Sequence, residues 1–317
     1  MFDDKSCHPI RISPMLTGIN ITCFAASYAI VLALEISRLF FRAPVRWIAI
    51  VGFTLAGLVA QSIYLYNLAS EELTRGVTLL ANWHDWCILA AWVMTLAYFG
   101  LAIRRPQNSV GIFVLPLVLI AIGLGFVFRD SQPFAPAQAM GVWRTIHGLA
   151  LLLGTVSVTL GFAAGLMYLA QSYRLKHKLP PRQGFRLPTL EWLQRFNRES
   201  LLLSTVLLAA GLLSGVILNL TRGGTAVSWF SSGVLASAVL FLWLVVATLF
   251  EFLYKPARQG RKIAYLTFAS FAFLVYALGS VLLSQHGTRD AQTDRTTPAL
   301  SNRSSDVLET SWWSPLP

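Results

Sequence analysis

Charged residues are scarce in this chain. Lys, Arg, Asp and Glu make up only 12% of its 317 residues, whereas 55% of them are apolar. Soluble globular domains carry about twice that charged fraction, so the composition excludes an ordinary soluble globule. Acidic residues are the scarcer kind, 14 against 25 basic, which gives a net charge of +11. The basic residues lie in short connections, where membrane topology and anionic lipid account for them, and we expect no nucleic-acid binding.

Cysteine motifs and internal repeats are also missing. The three cysteines form neither CxxC nor CxxCH, which excludes a thioredoxin-like module and a chain that is itself a c-type cytochrome. No repeat is detectable, and no ionisable side chain lies near the middle of an apolar run. A small-solute transporter built from inverted halves, or a proton relay, is therefore disfavoured.

Long apolar runs are what the sequence has in abundance. A bilayer core of about 30 Å needs about 20 apolar residues in a helix, and eight runs are of that kind. They predict an all-α, polytopic membrane bundle of about eight helices. The runs are Leu16 to Leu39, Val45 to Leu68, Trp83 to Ile103, Val110 to Phe128, Val142 to Ser172, Ser200 to Leu220, Trp229 to Leu253 and Ile263 to Ser284.

The basic residues predict the orientation of the bundle. Sixteen of the 25 lie in alternate connections, and nine lie on the opposite side. By the positive-inside rule the first set faces the cytoplasm, so both termini lie outside. We expect a multi-pass protein of the bacterial inner membrane, with an outer segment over 1–15, one membrane domain over 16–286 and a disordered outer tail over 287–317.

Small residues predict which helices touch. In lipid, glycines four residues apart on one helix face allow close approach of a neighbour. Gly161 and Gly165 form such a pair in the fifth run, and Gly211 and Gly215 form another in the sixth. The fifth and sixth helices are therefore predicted to pack together.

Two histidines are the strongest candidates for chemistry. His147 lies near the start of the fifth run and His286 follows the end of the eighth, so the topology brings both to the outer face. Two imidazoles on one side of a membrane can ligate a haem iron axially. Trp143, one turn before His147, could stack on a porphyrin edge, and Arg144 could pair with a propionate.

A third histidine is a further candidate for contact with the cofactor. His84 starts the third run beside Asp85, between Trp83 and Trp86. A surface pair with Asp85, inside an interfacial aromatic belt, explains the same residues. Outer-end histidines can likewise be plain interfacial residues, so both interpretations stay open at this point.

Several stretches of the chain, in this order and at this spacing, carry a family resemblance. They are Ala91 to Tyr98, Val110 to Leu117, Trp143 to His147, Gly165 to Lys176, Leu187 to Glu191, Gln259 to Ala264 and His286. Together they resemble the cytochrome c assembly family, the CcsA, ResC and HemX group of haem-handling membrane proteins, over about Gly52 to His286. In that family two outer histidines flank a tryptophan-rich segment and hold haem for attachment to apocytochrome.

The resemblance implies that His147 and His286 are the metal ligands of a non-covalent b-type haem, fixed or transient. Trp229 stands where the tryptophan-rich motif belongs, although the acidic end of that motif is missing. The implied role is an assembly factor or accessory subunit in cytochrome c maturation rather than a stand-alone catalyst. Haem, other assembly subunits, apocytochrome c and the bilayer are the implied partners. The alternative is a HemX-like regulator of tetrapyrrole synthesis that acts through its basic loop from Tyr173 to Arg198.

Overall fold

The computed structural model describes residues 20–40, 45–74, 82–106, 108–129, 142–178, 187–221, 230, 232–253 and 260–293. Eight α-helices account for most of these residues, and no strand occurs among them, which confirms an all-helical, polytopic bundle. The helices are α1 (Ile21–Ser37), α2 (Arg46–Thr74), α3 (Trp83–Arg104), α4 (Gly111–Val127), α5 (Val142–Lys176), α6 (Leu190–Thr221), α7 (Ser232–Leu253) and α8 (Gly260–Thr293).

Each predicted run corresponds to one helix. Within the described ranges, four segments are long and apolar enough to cross a membrane: Arg46–Ser70, Trp83–Arg104, Trp143–Lys176 and Leu190–Leu220. The other four helices contain shorter apolar segments of 10–17 residues. The orientation of the termini stays a prediction.

Two helix boundaries differ from the apolar runs by nine or ten residues, more than any of the others. Helix α6 begins at Leu190, ten residues before the run at Ser200, because its first turns are amphipathic and bury Leu193 and Asn197 almost completely. Hydropathy averages over such turns and misses them. Helix α8 continues to Thr293, past Gly287 where the predicted tail begins. The segments 1–15 and 294–317 lie outside the described residues.

The buried side chains form two hydrophobic cores. One lies among α1 to α4 and also takes in residues of α5 and the start of α6. The other lies among α5 to α8. Helices α5 and α6 contribute to both cores, so this pair connects the two halves of the bundle.

Glycines on α6 and α5 explain how closely these two helices pack. A Cβ at Gly211 would lie 2.6 Å from Cδ2 of Leu151, and one at Gly154 would lie 3.0 Å from Cγ of Leu208. A Cβ at Gly161 would lie 3.2 Å from Cβ of Ser200. The predicted packing of the fifth and sixth helices is therefore confirmed, and only small residues fit at these points.

A buried amide joins α1, α2 and α3. Gln61 is fully buried and accepts a hydrogen bond of 2.7 Å from the hydroxyl of Tyr28, while its Nε2 donates to the carbonyl of Ile88 at 3.0 Å. Gly57 leaves room for the Tyr28 ring, since a Cβ there would lie 2.5 Å from it. Buried polar groups of a membrane helix need such partners, and Gln61 has them.

Arg38 connects helices at the C-terminal end of α1. Its guanidinium donates to the carbonyls of Pro106 and Asn108 in the α3–α4 connection, at 2.9 and 3.3 Å. It also lies 3.8 Å from the buried carboxylate of Glu35, which accepts a hydrogen bond from the hydroxyl of Tyr98. This cluster ties α1 to α3 and to the α3–α4 connection.

Candidate functional site

His147 lies in the second turn of α5, and its half-buried ring is inserted against α6. Its Nδ1 is 2.7 Å from the backbone carbonyl oxygen of Gly211. A carbonyl oxygen only accepts hydrogen bonds, so Nδ1 carries the proton. In the neutral ring, the lone pair that can bind a metal is then on Nε2.

Two further residues of α6 shape the surroundings of this ring. A Cβ at Gly215 would lie 2.8 Å from Cε1 and 3.0 Å from Nδ1 of His147, so the ring fits only because position 215 has no side chain. Ser214 is buried and donates its hydroxyl to the same Gly211 carbonyl at 2.8 Å. The imidazole therefore has a defined position and a defined tautomer.

The other predicted residues at this end are described to different extents. Trp143 begins the turn before His147 with 46% of its side chain exposed, and Arg144 is half-buried beside it. Position 286 lies within α8, although the side chain of His286 is outside the described part of the structure. Trp229 also lies outside the described residues. The pairing of the two histidines stays a prediction.

His84 is buried inside the first half of the bundle. Only 5% of it is exposed, and Asp85 beside it is 3% exposed, so the surface-pair interpretation is wrong. Nδ1 of His84 is 2.8 Å from the carbonyl oxygen of Gly125, and Nε2 is 2.9 Å from the hydroxyl of Tyr64. Because the carbonyl must accept, Nδ1 donates, and Nε2 of the neutral ring accepts the tyrosine hydroxyl.

These two bonds make His84 a bridge between helices. Its ring on α3 connects Tyr64 on α2 with Gly125 on α4, and Tyr64 packs edge-on against the ring. Binding a metal through Nε2 would require the tyrosine hydroxyl to leave. A contact of His84 with a cofactor stays a prediction. In the structure the ring links α2, α3 and α4 through its two hydrogen bonds.

Sequence reasoning missed the α6 groups around His147 and the tyrosine partner of His84. A signal for Gly215 existed in the sequence, because its glycine pair lies in the C-terminal part of α6, which pairs with the N-terminal part of α5. Among the described residues, no group of three or more His, Cys, Asp or Glu side chains forms a metal site. A two-imidazole site needs no such group.

The family model described as Cytochrome C assembly protein matches residues 80–287 of the chain, more than half of its length. Neither the curated proteins nor the solved structures give a significant match.

Proposed function

Because the chain belongs to the cytochrome c assembly protein family, we propose that it handles haem in a bacterial inner membrane and holds it between His147 and His286 at the outer end of the bundle. The family supports a role in cytochrome c maturation, and the apolar helices support a multi-pass membrane protein. The observation that carries the finer proposal is the fixed tautomer of His147.

The hydrogen bond of His147 is of the kind that metal-binding histidines make. Such residues usually donate their second ring N–H to a carboxylate, a backbone carbonyl or water, which fixes the ring and raises its basicity. In this chain the acceptor is the Gly211 carbonyl at 2.7 Å from Nδ1. The His147 ring therefore fits a role in which Nε2 would hold a haem iron.

The register of α5 and α8 supports His286 as the second ligand. The Phe162 ring of α5 stacks on the Phe271 ring of α8, with centroids 4.1 Å apart. His147 lies fifteen residues before Phe162, and His286 lies fifteen residues after Phe271. The two helices run in opposite directions, since Phe162 contacts Phe271 whereas Gly165 lies near Ala264, and both helices are continuous over these intervals. At a rise of 1.5 Å, each interval spans about 22 Å toward the same end, so both positions share one level.

Helical phase also favours this pairing. Position 286 is eighteen residues, or five full turns, beyond Phe268. Phe268 contacts Phe162 of α5 at 4.9 Å between ring centroids, so position 286 shares the α8 face that packs on α5. Farther out, that face is less covered: Val275 is 54% exposed, and a Cβ at Gly279 would meet no atom within 4 Å. A flat ligand could lie against this uncovered part of α8.

The chain's own residues would hold haem rather than modify it. When bound, haem would supply the iron that two imidazoles coordinate. Trp143 and Trp229 would contact the porphyrin edge, Arg144 would face a propionate, and His84 stays a more distant candidate. An assembly factor of this kind would orient its ligand, while thioether formation would occur on the partner apocytochrome.

The test is spectral. The purified protein should show a bis-imidazole haem spectrum, and His147→Ala or His286→Ala should each abolish it. His177→Ala is the matched control, because this exposed histidine follows the opposite end of α5. A wild-type protein without haem, or a spectrum unchanged by both substitutions, would contradict the proposal.

The regulatory alternative predicts a different pattern. Neutralising Arg174, Lys176 and Lys178 in the basic loop would change tetrapyrrole levels in cells, whereas replacing the two histidines would not. The haem-handling proposal predicts that replacing the two histidines has an effect, whereas neutralising the basic loop has none. Measuring tetrapyrroles and mature cytochrome c in the same strains separates the two functions.

A further inference from the structure

We infer that α6 is the positioning element of the His147 site: the Gly211 carbonyl selects the tautomer, Gly215 supplies the space, and Ser214 tunes the strength of the hydrogen bond. This inference rests on the proposed function, but its central contact can be tested without haem. None of the three α6 residues needs to touch the ligand.

Space is the first part of the argument. The His147 ring lies against the backbone of α6, where a Cβ at Gly215 would be 2.8 Å from Cε1. Real Cβ atoms do not approach so closely, and the neighbour is a ring held by its own hydrogen bond to Gly211. Alanine at position 215 must therefore push the imidazole away from the Gly211 carbonyl. The His147 ring then loses the hydrogen bond that fixes its orientation and its tautomer.

Hydrogen-bond competition is the second part. The Gly211 carbonyl accepts from His147 Nδ1 at 2.7 Å and from the buried Ser214 hydroxyl at 2.8 Å. Because both donors share one carbonyl oxygen, each hydrogen bond is weaker than it would be alone. Removing the hydroxyl should strengthen the bond to His147 and make the imidazole a stronger electron donor to iron. Ser214→Ala should therefore shift the haem reduction potential to a more negative value, since hydrogen bonding around the ligands sets that potential.

A double-substitution experiment on the apoprotein tests the contact. Gly215→Ala should lower the unfolding midpoint in detergent when His147 is present, and this loss should shrink or vanish in the His147→Ala background. Gly123→Ala is the control, because a Cβ at that exposed helical glycine meets no atom within 4 Å. Its effect should be equal in both backgrounds. An equal effect of Gly215→Ala in both backgrounds would overturn the inference.

Haem-loaded protein tests the positioning role. Gly215→Ala should weaken haem binding about 10- to 100-fold, as loss of a supporting partner does for other metal ligands. If Gly215→Ala does not fold, Ser214→Ala still tests the inference, because it removes one oxygen atom and introduces no clash. A potential that stays unchanged or becomes more positive in Ser214→Ala would contradict the competition for Gly211.

The outcomes separate this inference from the proposed function. Haem binding by the wild type with unchanged affinity in Gly215→Ala would overturn the positioning role alone. Coupling between positions 147 and 215 in a protein that binds no haem would refute the proposed function, and the positioning role with it. Coupling together with weakened haem binding supports both.

Discussion

Replacing His84 with alanine should loosen the first half of the bundle without removing haem. The ring donates to the Gly125 carbonyl and accepts from the Tyr64 hydroxyl, which links α2, α3 and α4. Both nitrogens already have partners inside the protein. The substitution therefore removes two interhelical hydrogen bonds and leaves a gap where a buried side chain stood.

The size of the effect follows from these contacts. Interhelical hydrogen bonds in membrane proteins contribute on average about 0.6 and at most about 1.7 kcal/mol each. Two of them give about 1–3 kcal/mol, and the cavity left by the imidazole adds to this. Tyr64→Phe removes only one of the two bonds and should destabilise by about 1 kcal/mol.

Unfolding of the purified protein in mild detergent measures these values. A double-mutant cycle between His84→Ala and Tyr64→Phe should give a coupling of about 0.6–1.7 kcal/mol, because each single substitution removes the same bond. His177→Ala is the matched control. This histidine is exposed at the end of α5, and its replacement should stay within about 0.5 kcal/mol of the wild type.

Two results would refute the structural role of His84. Zero coupling with Tyr64 would mean that the hydrogen bond contributes nothing to stability. Loss of the haem spectrum in His84→Ala, with an unchanged free energy of unfolding, would mean that the ring is a ligand.

Three other substitutions test the fold. Gly211→Ala should destabilise the protein by about 1–3 kcal/mol through overpacking against Leu151. Adding Leu151→Ala to the same chain should partly restore the unfolding midpoint; no restoration would contradict the contact between the two positions. Arg38→Leu should cost about 2 kcal/mol, because it removes two charged hydrogen bonds to carbonyls of the α3–α4 connection. It should also speed proteolysis of that connection; an unchanged cleavage rate would contradict the role of Arg38 in holding it. Gln61→Leu should cost about 1–3 kcal/mol, because it removes the acceptor of the Tyr28 hydroxyl and the donor to the Ile88 carbonyl. In an unfolding cycle, the double substitution Gln61→Leu with Tyr28→Phe should cost less than the sum of the two single substitutions; strict additivity would contradict the Tyr28–Gln61 bond.

Much of the fold could be predicted from hydropathy, because lipid forces every spanning segment to satisfy its own backbone. Each of the eight apolar runs therefore corresponds to one of the eight helices in the described part of the chain. The same reasoning failed at the start of α6, where Glu191, Arg195 and Arg198 lower the hydropathy although Leu193 and Asn197 are buried. Those turns pack against the first core, which no local average can detect.

The candidate site was predictable in part. The glycine pairs indicated contact between α5 and α6, but not that Gly215 accommodates a histidine ring while Gly165 faces Thr267 of α8. The rotational register between helices decides such contacts. His84 was harder still, because its neighbours in sequence are those of an interfacial residue.

The sequence by itself determined the number of helices, their membrane character and the histidines worth testing, since composition and spacing act within each segment. Only the tertiary structure decided what the imidazoles do. The proton of His147 lies on Nδ1 because a carbonyl 64 residues away accepts it. His84 is buried because a tyrosine hydroxyl and a carbonyl from two other helices satisfy both of its nitrogens. A ring nitrogen acquires its role from the atoms that the packing of helices brings to it.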